Sequence, residues 1–426
     1  VIKAIRGMHD ILPEHNYLWH FFEQTARSIL DEYGYQQIRT PVVEATELFL
    51  RSIGDVTDIV EKEMYSFSDR SGESITLRPE GTASCARASS EHGLIHNAKV
   101  QKLWYLGPMF RYERPQKGRL RQFHQLGVEV FNAKSAHMEV ELMLLTARLW
   151  HKLGISHVAN LQINSLGTLD DRKRYKTDLS NFLHNKQHLL DEDSKRRLIT
   201  NPLRILDSKD KETQELLSSA PKLIDYLSVD SKLKFNLLTE YLDELGVAYE
   251  INPKLVRGLD YYNDTVFEWV TDKLGAQGTI CAGGRYDDLV RFIGGKPAEG
   301  VGFAMGIERL ILLISEHSTV KIPSNNADIY FCVLDDCELH SFKLIEQLHN
   351  DVPNLKIMRN VNGGNLSNQL KKAANSEAKC AFILGERECS KQTVTVKTLF
   401  TQDEQQEISW VNLTNFIVNQ VLGDKE

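Results

Sequence analysis

Lys102–Phe131 reads KLWYLGPMFRYERPQKGRLRQFHQLGVEVF, two strand-like runs on either side of the polar segment Arg114-Pro115-Gln116-Lys117-Gly118-Arg119. That segment is too long for a two-residue turn but carries the Pro and Gly of a longer hairpin loop. Side chains alternate along a strand, so Arg121, Phe123, Gln125, Gly127 and Glu129 share one face, and Leu126, Val128 and Val130 the other. The first face presents a cation, an aromatic plane, an amide, a gap and a carboxylate in a row, with Arg111 and Glu113 available from the partner strand. A hairpin with one solvated face is the ordinary explanation of such polarity. Here Arg111 and Glu113 follow an apolar strand, and Glu129 is flanked by Val128 and Val130. Buried charges need partners, so the face is read as a ligand site.

The 426 residues exceed one typical core and predict roughly two to four domains. A net charge of -7 gives no general attraction for nucleic acid, so such a partner must be held by local basic patches. Cys85, Cys281, Cys332, Cys337, Cys380 and Cys389 form no C-x-x-C pair and no zinc-finger spacing, which argues against a structural zinc and for a reducing cytosol. The leading VIKAIRGMHDILPEH lacks a continuous apolar core, and no run is long enough to span a bilayer. A soluble, cytoplasmic protein is expected.

Outward from the hairpin, Leu18, Phe21, Phe22, Thr25, Ala26, Ile29 and Leu30 have helical spacing, closed by Gly34. Gln36 to Val43 reads as a short strand broken by Pro41. Residues 44–63 read as a helix and polar loop, and Thr76–Thr82 as the end of a second strand. Helix then starts near Ala83, which places Glu80 and Thr82 at a strand-to-helix turn, a common place for ligands. Met138–Leu153 is an apolar helix ended by Gly154. Strands are expected at Leu255–Trp269 and Thr279–Ala282, and Gly300–Glu316 runs from a glycine-rich strand into a helix.

Residues 168–250 shift to Lys, Asp, Leu and Ser with helical spacing and read as a helical insertion. Lys173, Arg174, Lys176, Lys195, Arg196, Arg197 and Arg204 make it locally basic, although a solvated helix face explains such charges too. Ser324-Asn325-Asn326 reads as a linker. Beyond it strand and helix alternate, the pattern of a small α/β domain. The expected plan is a catalytic domain of residues 1–325 with an antiparallel sheet and the 168–250 insertion within it, then an α/β domain of residues 326–426.

No G-x-x-x-x-G-K-[ST] is present, and no G-x-G-x-x-G. A nucleotide would therefore be held by arginines, and Arg111, Arg257, Arg285 and Arg309 sit in apolar or glycine-rich settings where guanidinium forks suit phosphate oxygens. Taken singly, an ion pair within the fold accounts for each. Taken together, they point to phosphate.

Four strings in order carry a family resemblance. Phe110-Arg111-Tyr112-Glu113-Arg114 resembles the second signature motif of class II aminoacyl-tRNA synthetases, and Gly302-Phe303-Ala304-Met305-Gly306-Ile307-Glu308-Arg309-Leu310 resembles the third. Leu255-Val256-Arg257-Gly258-Leu259-Asp260-Tyr261-Tyr262 and Ala282-Gly283-Gly284-Arg285-Tyr286-Asp287 are similar to the two histidine-specific motifs of histidyl-tRNA synthetases of the bacterial type. The resemblance implies the class II fold and a histidine–tRNA ligase. Such an enzyme joins L-histidine to ATP as histidyl-adenylate with release of pyrophosphate, then moves histidine to the 3′ end of tRNA(His).

By the same resemblance Arg111 bridges the α-phosphate and the histidine carboxylate, and Arg257 stabilises charge at the α-phosphate. Glu113 meets the adenine amine, Phe123 stacks on the adenine, and Arg121 and Arg309 reach the outer phosphates. Glu129 and Tyr262 take the imidazole, whose two ring nitrogens need complementary partners. Glu80, Thr82 and Gln125 hold the amino group and carboxylate, and Tyr261 and Tyr286 line the pocket. Arg114, Gln116, Lys117 and Arg119 meet the tRNA acceptor end, the insertion clamps the acceptor arm, and the C-terminal domain binds the anticodon. ATP enters with Mg2+, whose ligands stay open, no zinc is expected, and a homodimer is implied, with apolar segments near residues 40–60 and 100–110 as plausible interface. The rival reading is a non-catalytic synthetase-like regulatory subunit of histidine biosynthesis, which typically lacks the C-terminal domain. A tRNA-sensing module of a larger kinase is disfavoured because nothing kinase-like is present.

Overall fold

In the computed structural model of the protein, the two runs around the polar loop pair antiparallel as Gln101–Phe110 and Gln122–Phe131, with Leu103 opposite Glu129 and Gly107 opposite Gln125. The structure describes residues 2–54, 57–208, 210–259, 261–275, 278–323, 326–334, 336–400 and 404–423. Asp260, and Ser324 and Asn325 of the expected linker, lie outside the described residues. The chain divides into two units, Val1–Ile322 and Pro323–Glu426.

Strands of the first unit, in chain order, are β1 (Gln36–Gln37), β2 (Val43–Ala45), β3 (Tyr65–Ser68), β4 (Ser74–Leu77), β5 (Gln101–Phe110), β6 (Gln122–Phe131), β7 (Asn160–Ser165), β8 (Tyr249–Ile251), β9 (Asn263–Val270), β10 (Thr279–Arg285) and β11 (Gly300–Gly306). The main sheet has the order β1-β5-β6-β11-β10-β9-β7-β8, and β2-β4-β3 form a small separate sheet. Pairing from β5 through β7 is antiparallel, with parallel strands only at the two edges. The expected strand at Gln36–Val43 is thus two strands in two sheets. Pro41 between them has no N–H to give a ladder.

The alternation in β6 sorts the two faces of the sheet. Leu126, Val128 and Val130 pack into one apolar core with Phe267, Trp269, Val301 and Phe303. That core is covered by the helices Pro13–Glu32, His137–Lys152, Val229–Glu244 and Ile307–His317. The first of these starts with proline in its first turn, where the missing N–H costs nothing, and the chain leaves it through Gly34 at φ +76°. Its buried Leu18, Trp19, Phe22, Ala26, Ile29 and Leu30 form a single stripe, each large side chain contributing roughly 1.5–3 kcal/mol of transfer free energy. The opposite face of β6, with Phe123, Gln125 and Glu129, is left for the site.

The insertion is helical. Thr168, Asp191, Asp210 and Ser228 each accept a first-turn backbone N–H, starting Leu169–His184, Glu192–Thr200, Lys211–Leu217 and Val229–Glu244. By contrast, the expected strand at Leu255–Trp269 begins only at Asn263. Before it the chain is irregular: Leu255, Tyr261 and Tyr262 are all buried in one cluster, which a two-sided strand does not allow. Asn164 and Arg204 side chains bind the Leu255 and Gly258 carbonyls in place of a ladder. Of the expected interface segments, Val43 and Leu50 are exposed, whereas Leu103, Trp104, Tyr105 and Met109 are consumed by the chain's own cores.

The second unit has the strands β12 (Ile329–Val333), β13 (Ile357–Arg359), β14 (Cys380–Leu384), β15 (Thr393–Thr398) and β16 (Gln406–Ser409), in the order β13-β12-β14-β15-β16. The first three are parallel, as their intervening helices require, and the last two, not anticipated above, add antiparallel. All six cysteines are free. Among the described residues no helix is long and apolar enough to cross a membrane.

One of the four arginines singled out above is structural. Arg285 forks onto Glu139 (2.7 and 2.8 Å) and donates to the carbonyls of Ala133 (2.9 Å) and Ser135 (3.2 Å) and to Asp287 (3.2 Å). It ties β10 to the helix His137–Lys152 and its lead-in. Arg285→Ala leaves Glu139, only 1% exposed, as an unpaired buried carboxylate, and urea unfolding should show a loss of about 3–5 kcal/mol. Arg285→Met with Glu139→Leu should recover most of it.

Candidate active site

A cavity of about 410 Å³ opens over the polar face of β6. Its wall brings together Glu80, Thr82, Arg111, Glu113, Phe123, Gln125, Arg257, Tyr261, Tyr262 and Arg309 from distant parts of the chain. Arg119, expected in the tRNA loop, lines it too. Gln125 Oε1 and Arg257 Nε are buried without a hydrogen-bond partner among the described residues, the condition of groups waiting for a ligand.

One end is cationic. Arg111 Nε donates to the Pro79 carbonyl at 2.8 Å, and its guanidinium lies 5.3 Å from the centre of the Phe123 ring. Arg309 donates to the carbonyls of Gly118 (2.9 Å) and Thr279 (2.7 Å), which bind β10 and the hairpin loop to the helix Ile307–His317. Burial depresses the pKa of both Arg111 and Arg309, and for Arg309 the nearby Arg119 and Arg111 add to it. Guanidiniums crowded in this way call for an anion. Arg257 lies 5.2 Å over the Tyr262 ring and pairs with Glu268.

The other end is a cage around Glu129, which is 0% exposed. Its Oε1 accepts from the hydroxyls of Thr82 (2.8 Å) and Tyr105 (3.0 Å), and its Oε2 from that of Tyr286. No cation is among these partners. Burial pushes Glu129 up to about 8 despite the hydroxyls, with Glu80 adding to the rise. Tyr261, Tyr262 and Tyr286 pack mutually, with ring centres 4.6–6.0 Å apart. Glu80 is a helix cap: its carboxylate accepts from the N–H groups of Thr82 (2.7 Å) and Ala83 (2.9 Å) at the start of the helix Thr82–Glu91.

Other expected residues stand apart from the wall. Glu129 and Tyr286 lie behind it, Glu129 one hydrogen bond beyond Thr82. Arg121 is outside it: the residue precedes β6, and its guanidinium lies 3.9 Å over the Tyr112 ring while Nε donates to the Glu113 carbonyl. Arg114, Gln116 and Lys117 are exposed on the loop, and Lys117 pairs with Glu316 at 3.0 Å.

Three acidic residues in the wall were not anticipated: Asp207, Glu268 and Glu308. Glu268 carried the signal that marked Glu129, a carboxylate between apolar neighbours in a strand. Glu308 takes the His124 backbone N–H at 2.9 Å. Asp207, from the insertion, had no local signal.

Residues 7–310 match the family of histidyl-tRNA synthetases, and residues 331–420 an anticodon binding domain. The chain belongs to the histidyl-tRNA synthetase family. The apo histidyl-tRNA synthetase of S. aureus is 34% identical over 98% of this chain and 99% of that chain, with a TM-score of 0.80. At 20% identity, the histidyl-tRNA synthetase of Nostoc sp. shares the fold over 99% of this chain and 100% of that chain (TM-score 0.72). So does a Bacillus halodurans ATP phosphoribosyltransferase regulatory subunit/histidyl-tRNA synthetase, over 87% and 96% (TM-score 0.62). The anticodon binding domain accompanying the synthetase region favours the histidine–tRNA ligase over the regulatory subunit.

The cage has a thermodynamic signature. Native Glu129 keeps its proton to about pH 8, while an unfolded glutamate loses it near pH 4.5. Between these values the native state binds more protons, so this group makes stability fall as pH rises. Glu129→Gln removes that slope. Its thermal midpoint relative to the parent should climb steadily from pH 5 to pH 8, and a constant difference would contradict the caged-acid geometry.

Proposed function

We propose that the histidine–tRNA ligase reaction of this family runs in the cavity with the following division of labour. The imidazole of L-histidine turns toward Glu129 and Tyr262, replacing one of the hydroxyls on the Glu129 carboxyl, with Tyr261 and Tyr286 packed around it. Glu80, Thr82 and Gln125 face its amino group and carboxylate. ATP, as its magnesium complex, lays its adenine on Phe123 with the amine toward Glu113 and its outer phosphates toward Arg309. Arg119 lines the cavity wall and Arg121 does not, so Arg119 takes the outer-phosphate role by exchanging its ion pair with Glu113 for the phosphates, and Arg121 stays on the Tyr112 ring.

A histidine carboxylate oxygen then attacks the α-phosphorus. A P–O bond forms, the bond to the bridging oxygen breaks, and pyrophosphate leaves. Charge builds on the α-phosphate oxygens, where Arg111 and Arg257 stand as fixed cations. Arg111 is pinned by the Pro79 carbonyl and Arg257 by Glu268, so neither reorganises as charge develops, a contribution of about 2.7–4 kcal/mol per well-placed donor. In the second step a hydroxyl of the tRNA terminal ribose attacks the histidyl carbonyl carbon and AMP departs. Arg114, Gln116 and Lys117, exposed on the hairpin loop, would guide that end.

Residues 1–325 act as the catalytic domain, 168–250 as an acceptor-arm contact and 326–426 as the reader of the anticodon. The enzyme works as a homodimer in the cytoplasm. The observation that carries this reading is one cavity holding arginines at one end and an uncompensated buried carboxyl behind the other.

Arg257 is the discriminating position. Arg257→Lys keeps a charge beside Glu268 but loses the planar fork, so single-turnover adenylate formation should fall about 10²- to 10³-fold with little change in the melting temperature or in histidine and ATP binding. Near-normal rates with reduced stability would make Arg257 a structural partner of Glu268 and nothing more.

A further inference from the structure

The insertion shares its core with the site. Its buried Tyr175, Leu179, Leu183, Leu198, Ile205 and Leu206 belong to the same apolar cluster as Leu255, Tyr261, Tyr262 and Tyr286. From that core the short 3-10 turn Pro202–Asp207 reaches the segment that carries Arg257. Arg204 Nη2 donates to the Gly258 carbonyl at 2.5 Å, and Asp207 reaches the cavity wall. On the other side of Arg257, Lys254 Nζ donates to Gln214 Oε1 of the insertion at 2.6 Å. The turn is itself held: Arg197 Nη1 donates to the Arg204 carbonyl at 3.3 Å, and Arg197 pairs with Asp193 at 2.8 Å. Among its described residues the segment before Asn263 has no strand ladder to fix its path, so side-chain tethers supply what a sheet would.

We infer that Arg204 is a positioning residue for adenylate formation: by fixing the Gly258 carbonyl, the insertion sets where the neighbouring Arg257 guanidinium stands. The inference rests on the reading of Arg257 as the α-phosphate cation. A buried cation aimed at a developing charge loses effect when displaced by about 1 Å, a cost that reaches about 10²-fold.

The test is a double-mutant cycle on the full-length enzyme with single-turnover adenylate formation at saturating histidine and ATP. Arg204→Ala should slow the step at least about tenfold while both KM values and the melting temperature stay near the parent's. Arg204→Lys, which retains a donor, should restore most of the rate, and Lys176→Ala, exposed on the same insertion, should be neutral. In an Arg257→Ala background Arg204→Ala should add nothing further. An unchanged rate in Arg204→Ala, or the same extra factor with Arg257 already removed, overturns the inference. If Arg257→Ala by itself adenylates normally, the underlying reading of Arg257 has failed instead. Arg204→Gln, which shortens the reach, gives the same readouts should the alanine variant fold poorly.

Discussion

A carboxyl group with no exposure and no cation in its cage is expensive, and the first unit is arranged to hold one. Glu129 is kept by three hydroxyls from three different elements: Thr82 at a helix start, Tyr105 on β5 and Tyr286 just after β10. Room for them is made by glycines. A Cβ at Gly127 would overlap the Tyr105 ring, and one at Gly302, directly opposite Glu129 in the β6–β11 ladder, would strike the carboxylate and the Tyr286 hydroxyl. A one-residue slip between β6 and either neighbour would bring a side chain into that space and turn Glu129 to the helix-covered face. The register of the sheet and the chemistry of the cage are therefore one constraint.

The two ends of the cavity solve opposite electrostatic problems in the same way. At one end burial depresses Arg111 and Arg309; at the other it raises Glu129 and Glu80. Each group is held by neutral dipoles, carbonyls for the cations and hydroxyls or N–H groups for the acids. Under the proposed assignment, a ligand with phosphates at one end and an imidazole at the other would relieve both ends at once, turning fixed dipoles into binding energy.

The hairpin, its two faces and the polar-face positions Phe123, Gln125 and Glu129 were legible in the sequence because strand periodicity is local, and because a carboxylate between valines is anomalous wherever it occurs. What was not legible was pairing across the chain. Arg285 looked like Arg111 and Arg309 in its setting, yet its partner Glu139 lies 146 residues away and has no local signature. Arg121 followed the alternation of β6 on paper but sits just before the strand begins, where the aromatic Tyr112 captures it. Leu255–Tyr262 has strand-like composition, but its buried residues share one cluster and its carbonyls are bound by side chains of β7 and the insertion. The same long-range character hid Asp207 as a wall residue, whereas Glu268, between Phe267 and Trp269 in a strand, carried the local signal of Glu129 and was passed over.

The central claim is that a buried, hydroxyl-caged carboxyl reads the imidazole by hydrogen bonding rather than by shape. The most direct measurement is pyrophosphate exchange into ATP driven by histidine against exchange driven by 2-thienylalanine, which matches the ring in size but has no ring nitrogen. A site built to hydrogen-bond its substrate rejects the analogue lacking that group by about 10⁴- to 10⁵-fold, and a loss of that order in kcat/KM is the result the cage predicts. Thienylalanine activity within about tenfold of histidine, the discrimination expected of a purely apolar pocket, would contradict it.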